Sequence, residues 1–304
     1  MASPAFSAYR LNHSTFRITE NSLLTKSSAE NPQIYLKFYD ALIVVIDTGS
    51  ARKPDDKNIT LRQFIETVPV AANDGKPLNE GGRREYTLVM THCHFDRIGG
   101  ISDFPASTVV CASSAARSFL APATLPAHSL CELVAIPTPT YTPTLFLEDG
   151  ETFPHVADHE TPLLVVHTPG HTPDSLSLYD PGERNLFVGD TLYENTAMTF
   201  PMQGNLQAYM SSLDKLLALV HKERDGATLA GGRGVWDVDA GSLVGYVRGF
   251  MERVLNGSAV GVGKGESRGI KVIEYGEGKV SFFAPERVFE DGRKALGFAY
   301  TSKP

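Results

Sequence analysis

The chain has 304 residues, 42% of them hydrophobic, which is enough for a sizeable buried core. Its 28 basic residues stand against 35 acidic ones, a formal net charge of −7, and this argues against a general nucleic-acid or membrane-surface binder, since both need a basic face. Three cysteines, Cys93, Cys111 and Cys131, are too few and too odd in number for a disulfide framework, so a reducing, cytoplasmic setting is expected. Residues 1–26 lack the basic start, apolar run and small-residue cleavage site of a secretory signal. No apolar run approaches the roughly 18 residues that span a bilayer.

In chain order, Ser14 to Leu24 alternates polar and apolar residues, as an antiparallel strand does. Ile34 to Phe38 and Ala41 to Ile46 read as two further strands joined by a turn at Tyr39-Asp40, the second ending in Asp47-Thr48-Gly49. Residues 50–85 are polar and rich in Gly, Pro and Asn, with one amphipathic helix near Leu61 to Val68. They read as an insertion, either a lid or a solvated excursion. Tyr86 to Met90 is a short apolar strand, and Thr91-His92-Cys93-His94-Phe95-Asp96-Arg97-Ile98-Gly99-Gly100 follows it. Two histidines two apart in extended backbone project to one side, and imidazole is the commonest protein metal ligand. Cys93, between them, points away and reads as a buried small residue.

Beyond this loop, Thr108 to Cys111 reads as a strand and Ser113 to Leu120 as a short helix. Residues 121–162 are rich in Pro and Thr, with short strands at Leu133 to Ile136 and Leu145 to Glu148. Leu163 to His167 is a strand feeding Thr168-Pro169-Gly170-His171-Thr172. Ser175 to Tyr179 and Asn185 to Val188 form a hairpin, and the second strand runs on into Gly189-Asp190-Thr191. Leu206 to His221 has helical periodicity, Ala227 to Ala230 is a strand, and Gly241 to Leu255 is a second amphipathic helix. A hairpin is expected over residues 271–284, across Gly276-Glu277-Gly278.

An HxHxD loop, then TPGHT, then a strand ending in Gly-Asp, in that order, resembles the metallo-β-lactamase superfamily over roughly residues 14–240. The resemblance implies an α+β fold, an αββα sandwich of two mixed β-sheets flanked by helices, as a single domain over residues 1–304. It implies that His92, His94 and His171 hold a metal, with Asp190 as a further ligand and Asp47 supporting the metal loop from behind; the alternative for Asp47 is a plain turn residue. Three imidazoles and a carboxylate suit zinc, with iron as the alternative, and zinc would lower the pKa of a bound water toward about 7.

The departures from the family pattern are informative. The usual HxHxDH ends here in Arg97, and the usual Gly-His-Gly after the long helix is Ala230-Gly231-Gly232-Arg233-Gly234, so that Arg233 or Gly232 stands at the histidine's position. A guanidinium has no lone pair to give a cation, so one metal per chain is expected rather than two. Arg97 and Arg233 would then replace the missing positive charge, or bind a substrate carboxylate or oxyanion. Asp96 would be either a base for the metal-bound water or a structural partner of Arg97. Tyr193, Met198, Phe200 and Met202, with Trp236 beside Arg233, are candidate pocket walls or, equally, core side chains, Tyr193 and Trp236 being taken as substrate-binding. The other histidines, His13, His128, His155, His159, His167 and His221, read as surface or core residues, with His167 the one that could support the site.

The expected activity is hydrolysis of a lactam, lactone or similar small acyl substrate by a metal-bound hydroxide. The alternatives are a mononuclear iron persulfide-type dioxygenase, a glyoxalase-II-like thioesterase, and a binding protein without catalysis. The expected partner is a small molecule, with neither nucleic acid nor membrane.

Overall fold

The computed structural model of the chain describes residues 4–21, 30–50, 59–154, 162–223 and 226–298. The expected strand residues 22–24, part of the insertion (51–58), His155 and His159 lie outside the described residues. The chain divides into two compact units, Met1–Asp149 and Gly150–Pro304, each with its own core.

The first unit is built on one seven-stranded sheet in simple sequence order. Strands β1 (Phe6–Arg10), β2 (Thr15–Glu20), β3 (Gln33–Phe38) and β4 (Leu42–Ile46) form an antiparallel meander. The connection runs through Tyr39, Asp40 and Ala41 and closes with Tyr39 N–H donating to the Leu42 carbonyl at 2.8 Å. From β4 the sheet becomes parallel through β5 (Glu85–Val89), β6 (Val109–Ser113) and β7 (Leu145–Leu147). Parallel strands are covered on both faces, which is why β4 reads as an unbroken apolar run. Helix α1 (Leu61–Thr67) links β4 to β5. Thr60 and Gln63 form a reciprocal capping box at its start, and Leu61, Phe64 and Ile65 bury its inner face.

The second unit carries a five-stranded sheet, ordered β13-β12-β10-β9-β8, and a four-stranded one, ordered β11-β16-β15-β14. Strand β8 is Leu164–His167, β9 Leu176–Asp180, β10 Asn185–Gly189, β11 Ala197–Thr199, β12 Thr228–Gly231 and β13 Val238–Asp239. The expected hairpin is β15 (Ile270–Glu277) with β16 (Val280–Pro285), and β14 (Val262–Ser267) pairs on its outer side. Helices α4 (Leu206–Val220), α5 (Ala240–Leu255) and α6 (Glu286–Ala295) pack their apolar faces into one cluster with Leu186, Val188, Phe250 and Phe282. The numbering is completed by α2 (Phe95–Ile98) and α3 (Leu125–His128) in the first unit.

Two expected elements differ. The helix expected over Ser113 to Leu120 is a 3-10 turn at Ser114–Ala116, started by the Ser113 hydroxyl accepting from Ala115 N–H. Ala121-Pro122 blocks its continuation, because the residue before proline avoids the helical region. The strand expected at Leu133 to Ile136 is a 3-10 turn at Cys131–Val134 flanked by left-handed Leu130 and Ala135, so a short apolar run has folded on itself instead of pairing. Strands β1, β11, β13 and β14 and helix α6 were not expected from the sequence, α6 in spite of an apolar face at Val288 and Phe289.

Candidate metal centre

In the first unit, β5 delivers the loop Thr91–His94 and the short helix α2 carries Asp96 and Arg97. The His92 and His94 rings have centroids 4.6 Å apart and planes at 82°, as expected for histidines two apart in extended backbone. Both are buried. Cys93 is fully buried in the apolar cluster of this unit, on the opposite side of the loop. Cys93, Cys111 and Cys131 are all free thiols.

Asp47, at the end of β4, holds this loop. It adopts a left-handed backbone, φ 63°, and both carboxylate oxygens accept from Thr91, one from N–H at 2.8 Å and the other from Oγ1 at 2.9 Å. Aspartate tolerates that conformation better than most side chains. Thr91 Oγ1 lies 3.3 Å from His92 Nδ1. With its proton given to Asp47, Oγ1 accepts from Nδ1–H, which leaves the lone pair on Nε2.

Next to Asp47, the N–H and hydroxyl of Thr48 both donate to the Arg97 carbonyl at 2.7 Å, clamping α2 against the β4 terminus. The approach is so close that a Cβ on Gly100 would lie 2.3 Å from the Thr48 carbonyl oxygen, and one on Gly99 2.4 Å from the Ser50 carbonyl carbon. The Gly-Gly pair therefore ends the metal loop by letting two backbones touch. Glu20, fully buried, secures the far side by accepting from Ser50 N–H at 2.6 Å and Ser50 Oγ at 3.0 Å.

Arg97 is completely buried, its Nη2 3.0 Å from Asp96 Oδ2 and its Nε 3.9 Å from Asp47 Oδ2. Burial pushes the Tyr35 phenol well above its usual range against the opposing pull of Arg17 and Arg97, so a neutral hydroxyl accompanies these ions.

In the second unit, β8 leads into the TPGHT loop. His171 is buried and its Nδ1 lies 2.5 Å from the Thr199 carbonyl on β11. A carbonyl only accepts, so Nδ1 carries the proton and Nε2 holds the lone pair. Gly170, at φ 153°, lets the loop sit on α4: an added Cβ would lie 2.6 Å from Tyr209 Cα. Tyr209 in turn donates to the Thr191 carbonyl at 2.7 Å, just past Asp190. A chain of hydroxyls, Thr191 to Thr168 at 3.2 Å and Thr168 with Ser177 at 3.0 Å, ties the β10 end to the β8 end. Arg233, in the loop after β12, places Nε 3.7 Å from Asp190 Oδ2. Its side chain is 19% exposed and that of Asp190 4%.

Arg97 and Arg233 thus each pair with a carboxylate of the expected site, each within its own unit. Among the other expected residues, Tyr193 is a core side chain of the second unit, with its hydroxyl 3.3 Å from the Ala197 carbonyl, and Met198 and Phe200 belong to the same cluster. Trp236 and Met202 are exposed. His167 offers its backbone carbonyl to Lys215 Nζ at 2.9 Å. His128 stacks on Phe119, and His13 and His221 are exposed. Sequence reasoning missed Glu20, Tyr35, Thr91, Thr168 and Ser177. Thr91 and Thr168 carried a local signal, the one next to His92 and the other at the head of the TPGHT stretch.

The three buried imidazoles His92, His94 and His171 form a group that could hold a metal ion. The donor set fits one: His92 and His171 each have Nδ1 engaged by an oxygen, the arrangement that orients a ligating imidazole and frees Nε2.

The family model of the metallo-β-lactamase superfamily matches residues 39–229. Among curated relatives, avaE of Aspergillus versicolor, named as a candidate transcription factor, is 33% identical over 268 residues, covering 83% of this chain and 77% of that protein. The human acyl-coenzyme A thioesterase MBLAC2 is 28% identical over 193 residues, 59% of this chain and 64% of its own length, less than two thirds of that enzyme. Among solved structures, a metallo-β-lactamase from Pontibacter korlensis superposes with a TM-score of 0.57 at 19% identity, covering 80% of this chain and 97% of that one. The structure of VMB-1 superposes with a TM-score of 0.56 at 16% identity, covering 81% and 96%. The chain belongs to the metallo-β-lactamase superfamily and has its α+β sandwich fold of mixed sheets with flanking helices. No helix among the described residues is long and apolar enough to cross a membrane.

Proposed function

We propose that this chain is a metal-dependent hydrolase of a small acyl substrate, holding one metal ion, zinc in the first instance, on His92, His94 and His171. The observation that carries the reading is the set of three buried imidazoles, two of them with Nδ1 fixed by an oxygen. A divalent metal there would supply a Lewis acid and a water acidic enough to ionise near neutral pH. The residues of the chain do the rest. In this reading Asp96, held by Arg97, takes a proton, and Asp190, which is not part of the three-imidazole group, would join as a further ligand. Arg233, which is partly exposed, would meet a substrate carboxylate or a developing oxyanion.

Among lactams, lactones and thioesters, we favour a thioester, because the relative MBLAC2 is named as an acyl-coenzyme A thioesterase. The single metal follows from Arg97 and Arg233, which cannot ligate a cation and which already neutralise Asp96 and Asp190. The acidic balance of 35 against 28 charged residues supports a small-molecule partner over nucleic acid, and the three free buried cysteines support a reducing, cytoplasmic setting.

The test is elemental mass spectrometry of the purified protein, followed by a panel of thioesters, lactones and lactams. About one zinc per chain with turnover of one class is expected. About one iron with oxygen uptake would replace hydrolysis by oxidation. In Arg97→His with Arg233→His, the metal content is expected to rise toward two per chain. An unchanged content there, or two metals in the unaltered protein, would overturn the account of the arginines.

A further inference from the structure

A second site lies in the first unit, at the end of the sheet away from the histidine loop. A cleft of about 290 Å³ opens where β1 and β3 end and β2 and β5 begin, lined among others by Arg10, Lys76, Glu80, Arg83 and Arg84. Four cations and one carboxylate meet there, on a protein of net charge −7. Glu80 is engaged with Arg83 at 3.7 Å. Arg10, Lys76 and Arg84 have no carboxylate partner among the described residues, so three positive charges share one concavity.

Two of the three are also held in place. Arg10 donates through Nε to the Ala72 carbonyl at 3.2 Å and through Nη1 to the His13 carbonyl at 3.0 Å, and its guanidinium carbon lies 4.3 Å from the Phe16 ring centre. Arg84 donates through Nε to the Tyr39 carbonyl at 3.0 Å and sits 5.6 Å from the Phe38 ring centre. Phe16 and Phe38 meet edge to face at 5.5 Å, so the two guanidiniums bracket one aromatic pair. Neutral carbonyls and ring faces position the cations without cancelling their charge, and the remaining N–H groups of each fork stay available. Prior fixing of the side chains lowers the entropy lost when a ligand binds.

We infer that this cleft binds the phosphoryl group of a small molecule. A carboxylate brings one negative charge, whereas a phosphoryl group brings about two and matches the arginine fork, with Lys76 as an added point charge. The cleft is near the small end of ligand sites, suited to a phosphate with little attached apolar body. It is separate from the metal centre: Arg84 precedes β5 and His92 follows it, roughly 25 Å apart along extended chain. The inference does not rest on the hydrolase reading.

The test is calorimetric titration of the full chain at about 50 mM salt with inorganic phosphate and, separately, with adenosine 5′-diphosphate, since charge contacts of this kind weaken in salt. Binding with Kd below about 1 mM is expected, weakened at least about tenfold in Arg10→Gln with Lys76→Gln, while melting temperature and metal content stay as in the unaltered protein. Tighter binding of the diphosphate would make the ligand a nucleotide-like molecule, and equal binding would make it free phosphate. The inference fails if neither anion binds below about 10 mM, or if the double variant binds within about twofold of the unaltered chain, because the anion then sits elsewhere.

Discussion

Arg97 is the residue with most at stake. A guanidinium with no exposure persists only because Asp96 and Asp47 stand beside it. Removing it leaves carboxylates buried without their partner, so Arg97→Ala is expected to cost about 3–5 kcal/mol in urea unfolding, and the double variant with Asp96→Ala to recover part of that. If Asp96 moves a proton in the reaction, kcat/KM of Arg97→Ala also falls by more than about threefold, and a smaller change would confine the arginine to stability. Asp47 acts on the histidine loop through Thr91. Asp47→Ala removes both acceptors for Thr91 and with them the brace on His92, so zinc affinity measured by chelator competition is expected to fall about 10–100-fold. The chemistry-bearing types were legible from the chain: histidines two apart, a histidine after Pro-Gly, an aspartate at a strand end. Of their partners, Asp47 was expected from the family resemblance, whereas the Thr199 carbonyl was not, because it lies 28 residues from His171 and no local spacing encodes that pair.

Among the elements, the decisive contact is α2 laid on the Thr48–Ser50 backbone. Gly99 and Gly100 make it possible, and Gly100→Ala must move one backbone off the other, since the new Cβ would lie 2.3 Å from the Thr48 oxygen. A loss of more than about 3 kcal/mol, read as a lowered melting temperature, is expected, together with weaker metal retention because the histidine loop is carried along. Long apolar runs such as β4 and β10 and amphipathic helices such as α4 and α5 were readable because their period is imposed by burial. The segment Ser113 to Leu120 deceived because a capping serine and a proline turned helix-favouring residues into a single turn. Strand β14 was silent because it is exposed at every position, with no buried face to write an alternation.

For the molecule as a whole, an acidic chain whose Arg10, Lys76 and Arg84 share a cleft without a carboxylate partner among the described residues should bind phosphoryl groups without binding nucleic acid. We expect no band shift of duplex DNA at about 50 mM salt and about 10 µM protein, and a salt-sensitive shift there would overturn that expectation. By itself the sequence determined the superfamily and singled out His92, His94, His171, Arg97 and Arg233, because these are residue types at short, ordered spacings. Only the tertiary structure decided which carboxylate each arginine neutralises, what braces each imidazole, and that Arg10, Lys76 and Arg84 share a cleft. Those are contacts between residues far apart in the chain, set by strand order and register, and the physical cost of a buried unpaired charge selects them only once the sheet has formed.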